Sequence, residues 1–139
     1  MDIGSPSAGT PAEARRALRQ HLIDLRRNLP ESTVETWSLR VRDHLAENYP
    51  DLAGKRVAFC WPIQNEPDLR PLMTLWRSAG LPGFAALLPV VVAPRTPLAF
   101  RAWDASTLLV EDRYGIPYPA NGPYLTPEAL LIPVNAFDA

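Results

Sequence analysis

Cysteine is almost absent from this chain. The one thiol, Cys60, has no intrachain partner, which excludes a disulfide-stapled fold. It lies in the apolar run "RVAFCW", where a buried, inert thiol is the plain reading. An excess of one charge is missing too. Lys and Arg number 14 and Asp and Glu 15, a net charge of −1, so there is no electrostatic footprint for nucleic acid or an anionic membrane. A small anionic ligand stays open, because a few clustered arginines suffice for one. No apolar run approaches the roughly 18 to 20 residues that cross a bilayer. The first ten residues, "MDIGSPSAGT", have neither a basic region nor an apolar stretch, so they are not read as a secretory signal. These absences fit a reducing cytoplasm. Glycine is sparse, at 7 residues. The patterns G-x-x-x-x-G-K-S/T, G-x-G-x-x-G, C-x-x-C, H-E-x-x-H and G-x-S-x-G do not occur.

Proline is what the chain has in quantity: 16 residues, concentrated after residue 60. They punctuate short apolar runs, a pattern of strands and ordered loops rather than one long helical bundle. Apolar residues make up 47% of 139, enough for the core of one domain. Residues 1–9 carry no period and read as a disordered tail. Thr10, Pro11 and Glu13 then form a helix start, with Thr10 as cap and Glu13 closing a capping box. Leu18, Leu22, Leu25 and Leu29 follow as one apolar stripe. Val34, Trp37, Val41 and Leu45 repeat the helical spacing up to Pro50. The chain thus opens with two amphipathic helices, over roughly 11–28 and 31–48.

"RVAFCW" and "AALLPVVV" are near-continuous apolar runs suited to strands buried on both faces of a parallel sheet. Between them Asp68 caps a helix carrying Leu72, Met73, Leu75 and Trp76, which Gly80 ends. This is a βαβ unit. "LAFRAW" alternates like a half-exposed strand, "DRYGIPYP" reads as a loop, and "LLIPVNAF" as another buried parallel strand. The expected fold class is α/β: a three-layer α/β/α arrangement around a mainly parallel, Rossmann-like sheet, with two helices at the N-terminus.

Two constellations could carry chemistry. Arg15 and Arg19 lie one helical turn apart, so both guanidinium forks can reach one phosphate. Spacing alone favours a solvated basic face. In "WPIQNEPD", Trp61 closes the first strand and Glu66 lies in the loop beyond it, at the carboxyl end where α/β sheets bind ligands. An aromatic wall beside a carboxylate suits a flat heterocycle with N–H donors. Spacing alone favours an ordinary solvent loop. His21 and His44 lie within helical segments and read as surface histidines.

The segments "ARRALRQHLIDLRRNLP", "VAFCWPIQNEPDLRPLM", "LLPVVV", "LAFRAW", "YGIPYP" and "LLIPVNAFD", in that order, resemble the 5-formyltetrahydrofolate cyclo-ligase (5,10-methenyltetrahydrofolate synthetase) family. The resemblance runs from about residue 14 to the end. It implies a ligase forming C–N bonds that converts 5-formyltetrahydrofolate to 5,10-methenyltetrahydrofolate with MgATP, releasing ADP and phosphate. The cofactors implied are ATP and Mg2+, the partner a small folate, with no nucleic acid, membrane or obligate protein partner. In that family the formyl oxygen attacks the γ-phosphate, and phosphate leaves as the ring closes. The family's basic pair at the ATP phosphates falls on Arg15, where lysine is usual, and Arg19. Its folate contacts fall on Trp61 and Glu66, with Tyr114 placed near the pterin. Asn65 stands where many members have glycine.

The family continues past "AFD" into a glycine-rich nucleotide loop with a magnesium-binding aspartate, which this sequence does not contain. The expectation is therefore a chain that is C-terminally incomplete over 10–139 and inactive alone. The alternatives are a non-catalytic folate- or nucleotide-binding fragment, and an interaction fragment completed by a partner.

Overall fold

In the computed structural model, which describes residues 9–137, helix α1 spans Pro11–Arg27 and α2 spans Glu31–Asn48. The capping box forms as the sequence predicts. Thr10 Oγ1 accepts from the Glu13 amide and the Thr10 amide donates to Glu13 Oε2, both at 3.2 Å. Two of the orphan amides at the helix start are thereby satisfied. The leucine stripe is not what α1 buries. Ile23 is its buried residue, while Leu18 and Leu25 stay 58% and 54% exposed. The apolar period fixed a helix, but which side is covered depends on what lies beside it.

A short 3-10 turn, Pro50–Gly54, leads into β1 (Arg56–Ala58). The chain then runs through a loop into α3 (Arg70–Ala79) and β2 (Ala85–Val90). Strands β1 and β2 pair in parallel, Val57 opposite Ala86 and Ala58 opposite Leu87. Helix α3 begins one residue after the expected cap: Leu69 holds the cap position, and Asp68 Oδ1 takes the Arg70 amide at 3.0 Å. Gly80 ends it in the left-handed conformation, φ 70°, which glycine adopts without strain.

Strand β3 (Ala99–Trp103) lies antiparallel to β2, and β6 (Ala129–Leu130) parallel to β1, giving the order β3-β2-β1-β6. The sheet is mixed and mainly parallel, and the fold class is α/β as expected. "DRYGIPYP" is more ordered than a loop. It turns a small hairpin, β4 (Leu109–Glu111) with β5 (Pro117–Pro119), whose fifth strand rests on β2 and β3.

The core gathers alternate residues of the sheet against α3: Val57, Phe59, Ala86, Leu88 and Trp103 meet Leu72, Met73 and Trp76. Phe59 and Trp103 meet edge to face, ring centres 5.4 Å apart. Ala58 and Leu87, which alternate to the opposite face, are buried as well, so β1 and β2 are covered on both faces as the parallel pairing demands. α2 packs Leu45 and Ala46 on the core and is also held by polar groups. Ser38 and Arg42 are its buried residues, Ser38 Oγ accepting from the Asp68 amide at 3.1 Å and Arg42 donating to the Asp68 carbonyl at 2.9 Å.

The terminal run departs from expectation. Only Ala129 and Leu130 pair as strand residues, and Leu131 adds one bond from its amide to the Ala58 carbonyl at 2.8 Å. Leu130, Ile132 and Val134 are 53%, 68% and 69% exposed. The segment is an edge, covered on one side, because no further described element lies beyond it. The contrast is measurable. Leu88→Ala should cost about 2–5 kcal/mol of unfolding free energy through the cavity it leaves. Leu130→Ala should stay within about 0.5 kcal/mol. Equal losses in urea titration would contradict this core assignment.

Candidate functional site

Helix α1 and the β4–β5 turn face each other across a cleft of about 580 Å³. Arg16, Arg19, Gln20 and Ile23 line it from the helix. Ile63 and Gln64 line it from the loop after β1, and Tyr114 to Ile116 from the hairpin turn. The turn is built by Asp112, whose Oδ1 accepts from the Tyr114 amide at 2.8 Å and the Ile116 amide at 3.0 Å. Gly115 supplies the required positive φ of 78°. Tyr114 thus stands at a fixed tip with its ring 71% exposed, and the Arg113 guanidinium lies 4.7 Å over it.

Of the predicted basic pair, Arg19 lines this cleft and Arg15 does not. Its place beside Arg19 is taken by Arg16. The signal was present in the helical spacing: residues 16, 19, 20 and 23 share one side, and Ile23 is the residue α1 buries. The structure therefore brings Arg19 together with Tyr114, and adds Arg16 to both.

The loop between β1 and α3 carries the other candidates. Trp61 is half-buried. Its ring meets Trp103 edge to face with centres 6.2 Å apart, and the Arg70 guanidinium sits 4.5 Å over it. Glu66 faces elsewhere. It lines a cavity of about 290 Å³ whose walls are Val41, Leu45, Leu69 and Leu131 to Val134, with Cys60 at its edge. Trp61 and Glu66 are neighbours in sequence that do not share a cavity. Burial, then the nearby Glu66 carboxylate, pushes the Cys60 thiol above its ordinary value, which keeps it protonated and unreactive.

Residues 63–66 separate the cleft from this cavity, and their shape is unusual. Gln64 and Asn65 both take positive φ, 52° and 60°. Asparagine tolerates this conformation better than most residues. Here its side chain adds a reason: Asn65 Nδ2 donates to the carbonyls of Arg26 and Arg27 at 3.0 and 3.2 Å. Those are orphan acceptors at the end of α1. Arg26 returns the contact, donating from Nε to the Gln64 carbonyl at 2.8 Å and from Nη1 to Asn135 Oδ1 at 3.1 Å. Its Nη2 lies 4.0 Å from Glu66 Oε2. The other carboxylate oxygen accepts from the Ile63 amide at 3.2 Å.

The donors in the cleft suit an anion. Arg16 and Arg19 present planar forks, and among the described residues no acidic side chain lines the cleft. Among the described residues no group of three His, Cys, Asp or Glu side chains could hold a metal ion.

An α/β domain with a mixed, mainly parallel sheet and a basic cleft at its first helix is the class defined here. Its likeness to a solved structure is specific: the NMR structure of the Aquifex aeolicus 5,10-methenyltetrahydrofolate synthetase matches with a TM-score of 0.67 and 25% identity, over 82% of this chain and 56% of that one. The chain thus spans just over half the length of the synthetase it matches. The resemblance drawn from the ordered motifs is borne out in three dimensions. No protein-family model matches the chain, and no curated protein does.

Two outcomes test the loop. Asn65→Ala should be about 1 kcal/mol less stable than Asn65→Gly, because both lose the amide donors but only alanine is strained at positive φ. Equal stability would contradict the conformation described. Asp68 reports on the α2 and α3 anchor. Burial raises its carboxyl, yet the Arg70 side chain and amide bonds, with the charges of Arg70 and Arg42, outweigh this and hold it below its ordinary value. A depressed carboxyl stabilises the fold above the ordinary carboxylate pKa of about 4 and loses that effect as pH falls through its folded value. The stability gap between wild type and Asp68→Asn should therefore narrow in acid; a constant gap would exclude it.

Proposed function

We propose that this chain carries the folate-binding part of an ATP-dependent 5-formyltetrahydrofolate cyclo-ligase, the activity that yields 5,10-methenyltetrahydrofolate with release of ADP and phosphate. The fold likeness to the synthetase is the observation that carries this reading. The basic cleft supports it, because one wall offers guanidinium forks and the other an exposed aromatic ring.

In this reading Arg19 neutralises phosphate oxygens of ATP, with Arg15 nearby on the helix and Arg16 as the nearer second fork. Phosphoryl transfer needs positioned positive charge more than covalent help, and two arginines on a rigid helix supply it. Glu66 accepts N–H donors of the reduced pterin. Trp61, packed on Trp103 and Arg70, and Tyr114, across the basic cleft, lie outside the Glu66 cavity and offer separate aromatic surfaces to the rest of the substrate. MgATP is the second substrate; the resemblance assigns its magnesium-binding aspartate to the glycine-rich loop that this sequence does not contain.

The sequence holds no glycine-rich nucleotide loop, so we expect these 139 residues to bind without turning over. A transfer site without its positioning groups loses most of its rate. Titrating the chain with 5-formyltetrahydrofolate and following tryptophan fluorescence should show saturable binding, and Glu66→Ala should weaken it by about tenfold or more. Arg19→Ala should instead weaken MgATP binding and leave folate binding within about twofold. Absence of folate binding at high micromolar concentration would sink the proposal. Steady formation of methenyl product, followed by its absorbance, would overturn the expectation of inactivity while upholding the assignment.

A further inference from the structure

Arg26 stands in neither candidate site, yet it touches every part of the loop that shapes both. Its three nitrogens address three groups. Nε holds the Gln64 carbonyl at 2.8 Å, Nη1 holds Asn135 Oδ1 at 3.1 Å, and Nη2 faces Glu66 Oε2 at 4.0 Å. The guanidinium and the carboxylate are mostly enclosed, their side chains 16% and 15% exposed. A carboxylate this enclosed needs partners to keep its charge and direction. Glu66 has two: the Ile63 amide on one oxygen, and Arg26 on the other.

We infer that Arg26 is a positioning residue, which sets the place and direction of the Glu66 carboxylate from the end of α1. This rests on the reading of Glu66 as a substrate ligand. Two separate paths lead from the guanidinium to the carboxylate. One is the charge itself. The other runs through the Gln64 carbonyl, which fixes the left-handed pair Gln64 and Asn65 and so the point from which Glu66 leaves the backbone. Lysine would carry the first path only, because it lacks the planar fork that spans three acceptors. Asn135 adds the consequence that the segment after β6 is tied to the same nitrogen group. Arg27, the next residue, is exposed and serves as a control for loss of one positive charge from the helix end.

The test compares Arg26→Ala, Arg27→Ala, Glu66→Ala and the double variant Arg26→Ala/Glu66→Ala. 5-Formyltetrahydrofolate titration and amide hydrogen exchange are the two readouts. Positioning predicts that Arg26→Ala weakens folate binding by about tenfold, that Arg27→Ala changes it by less than about twofold, and that the double variant binds no worse than Glu66→Ala. It also predicts faster exchange at the Ile63 amide, with the protection of the β1 and β2 amides unchanged. Additive losses in the double variant, or unchanged binding by Arg26→Ala, would refute it. So would exchange that rises throughout the sheet, since that marks a residue needed for folding and not for placement. Should the wild-type chain bind no folate, the functional reading fails by itself. The exchange at Ile63 then still decides whether Arg26 holds the carboxylate in place.

Discussion

The structure depends on a reciprocal latch between the end of α1 and the loop after β1. Asn65 donates to the last carbonyls of the helix, and Arg26 of the helix donates back to the loop. Each side supplies what the other lacks. A helix end has carbonyls without partners, and a loop with two left-handed residues needs outside bonds to hold its shape. The exchange explains why α1 can lie on the domain with one buried residue, Ile23, and most of its leucines in solvent. Apolar burial dominates in the sheet and α3, whereas α1 and α2 add directed polar contacts to the packing of Ile23, Leu45 and Ala46.

That division also separates what the sequence made legible from what it did not. The elements that bury apolar surface were readable. The capping box at Thr10, the two apolar runs at β1 and β2, and the glycine stop at Gly80 all sit where local chemistry places them. The latch was not readable, because Arg26 and Asn65 are 39 residues apart and their pairing follows from the fold. Arg15 and Arg19 stand one helical turn apart and match the family's basic pair, while the cleft follows the side of α1 marked by Ile23 and takes in Arg16 with Arg19. The terminal run looked like a buried strand because composition reports apolarity and not coverage. Leu131 is tucked in while Leu130 and Ile132 point out.

The hairpin shows a third kind of difficulty. Asp112, Tyr114 and Gly115 carry ordinary turn chemistry, and Asp112 builds the turn by accepting two backbone amides. Pro117 and Pro119 have no backbone N–H to give a partner strand. They are tolerated because this two-stranded sheet is all edge, and a strand position facing away from its partner needs no amide donor. Tyr114 therefore owes its fixed position to the carboxylate two residues before it.

A helix pinned at one end is a lever. At about 1.5 Å of rise per residue, Arg16 stands about 15 Å from Arg26 and Arg19 about 10 Å. A tilt of about 10° at the pin would carry Arg16 through about 2.5 Å and Arg19 through somewhat less. Facing them, Tyr114 sits on a turn whose amides at Tyr114 and Ile116 are both held by Asp112. A change in the tilt of α1 at the pinned end would therefore displace Arg16 from a bound anion more than Arg19.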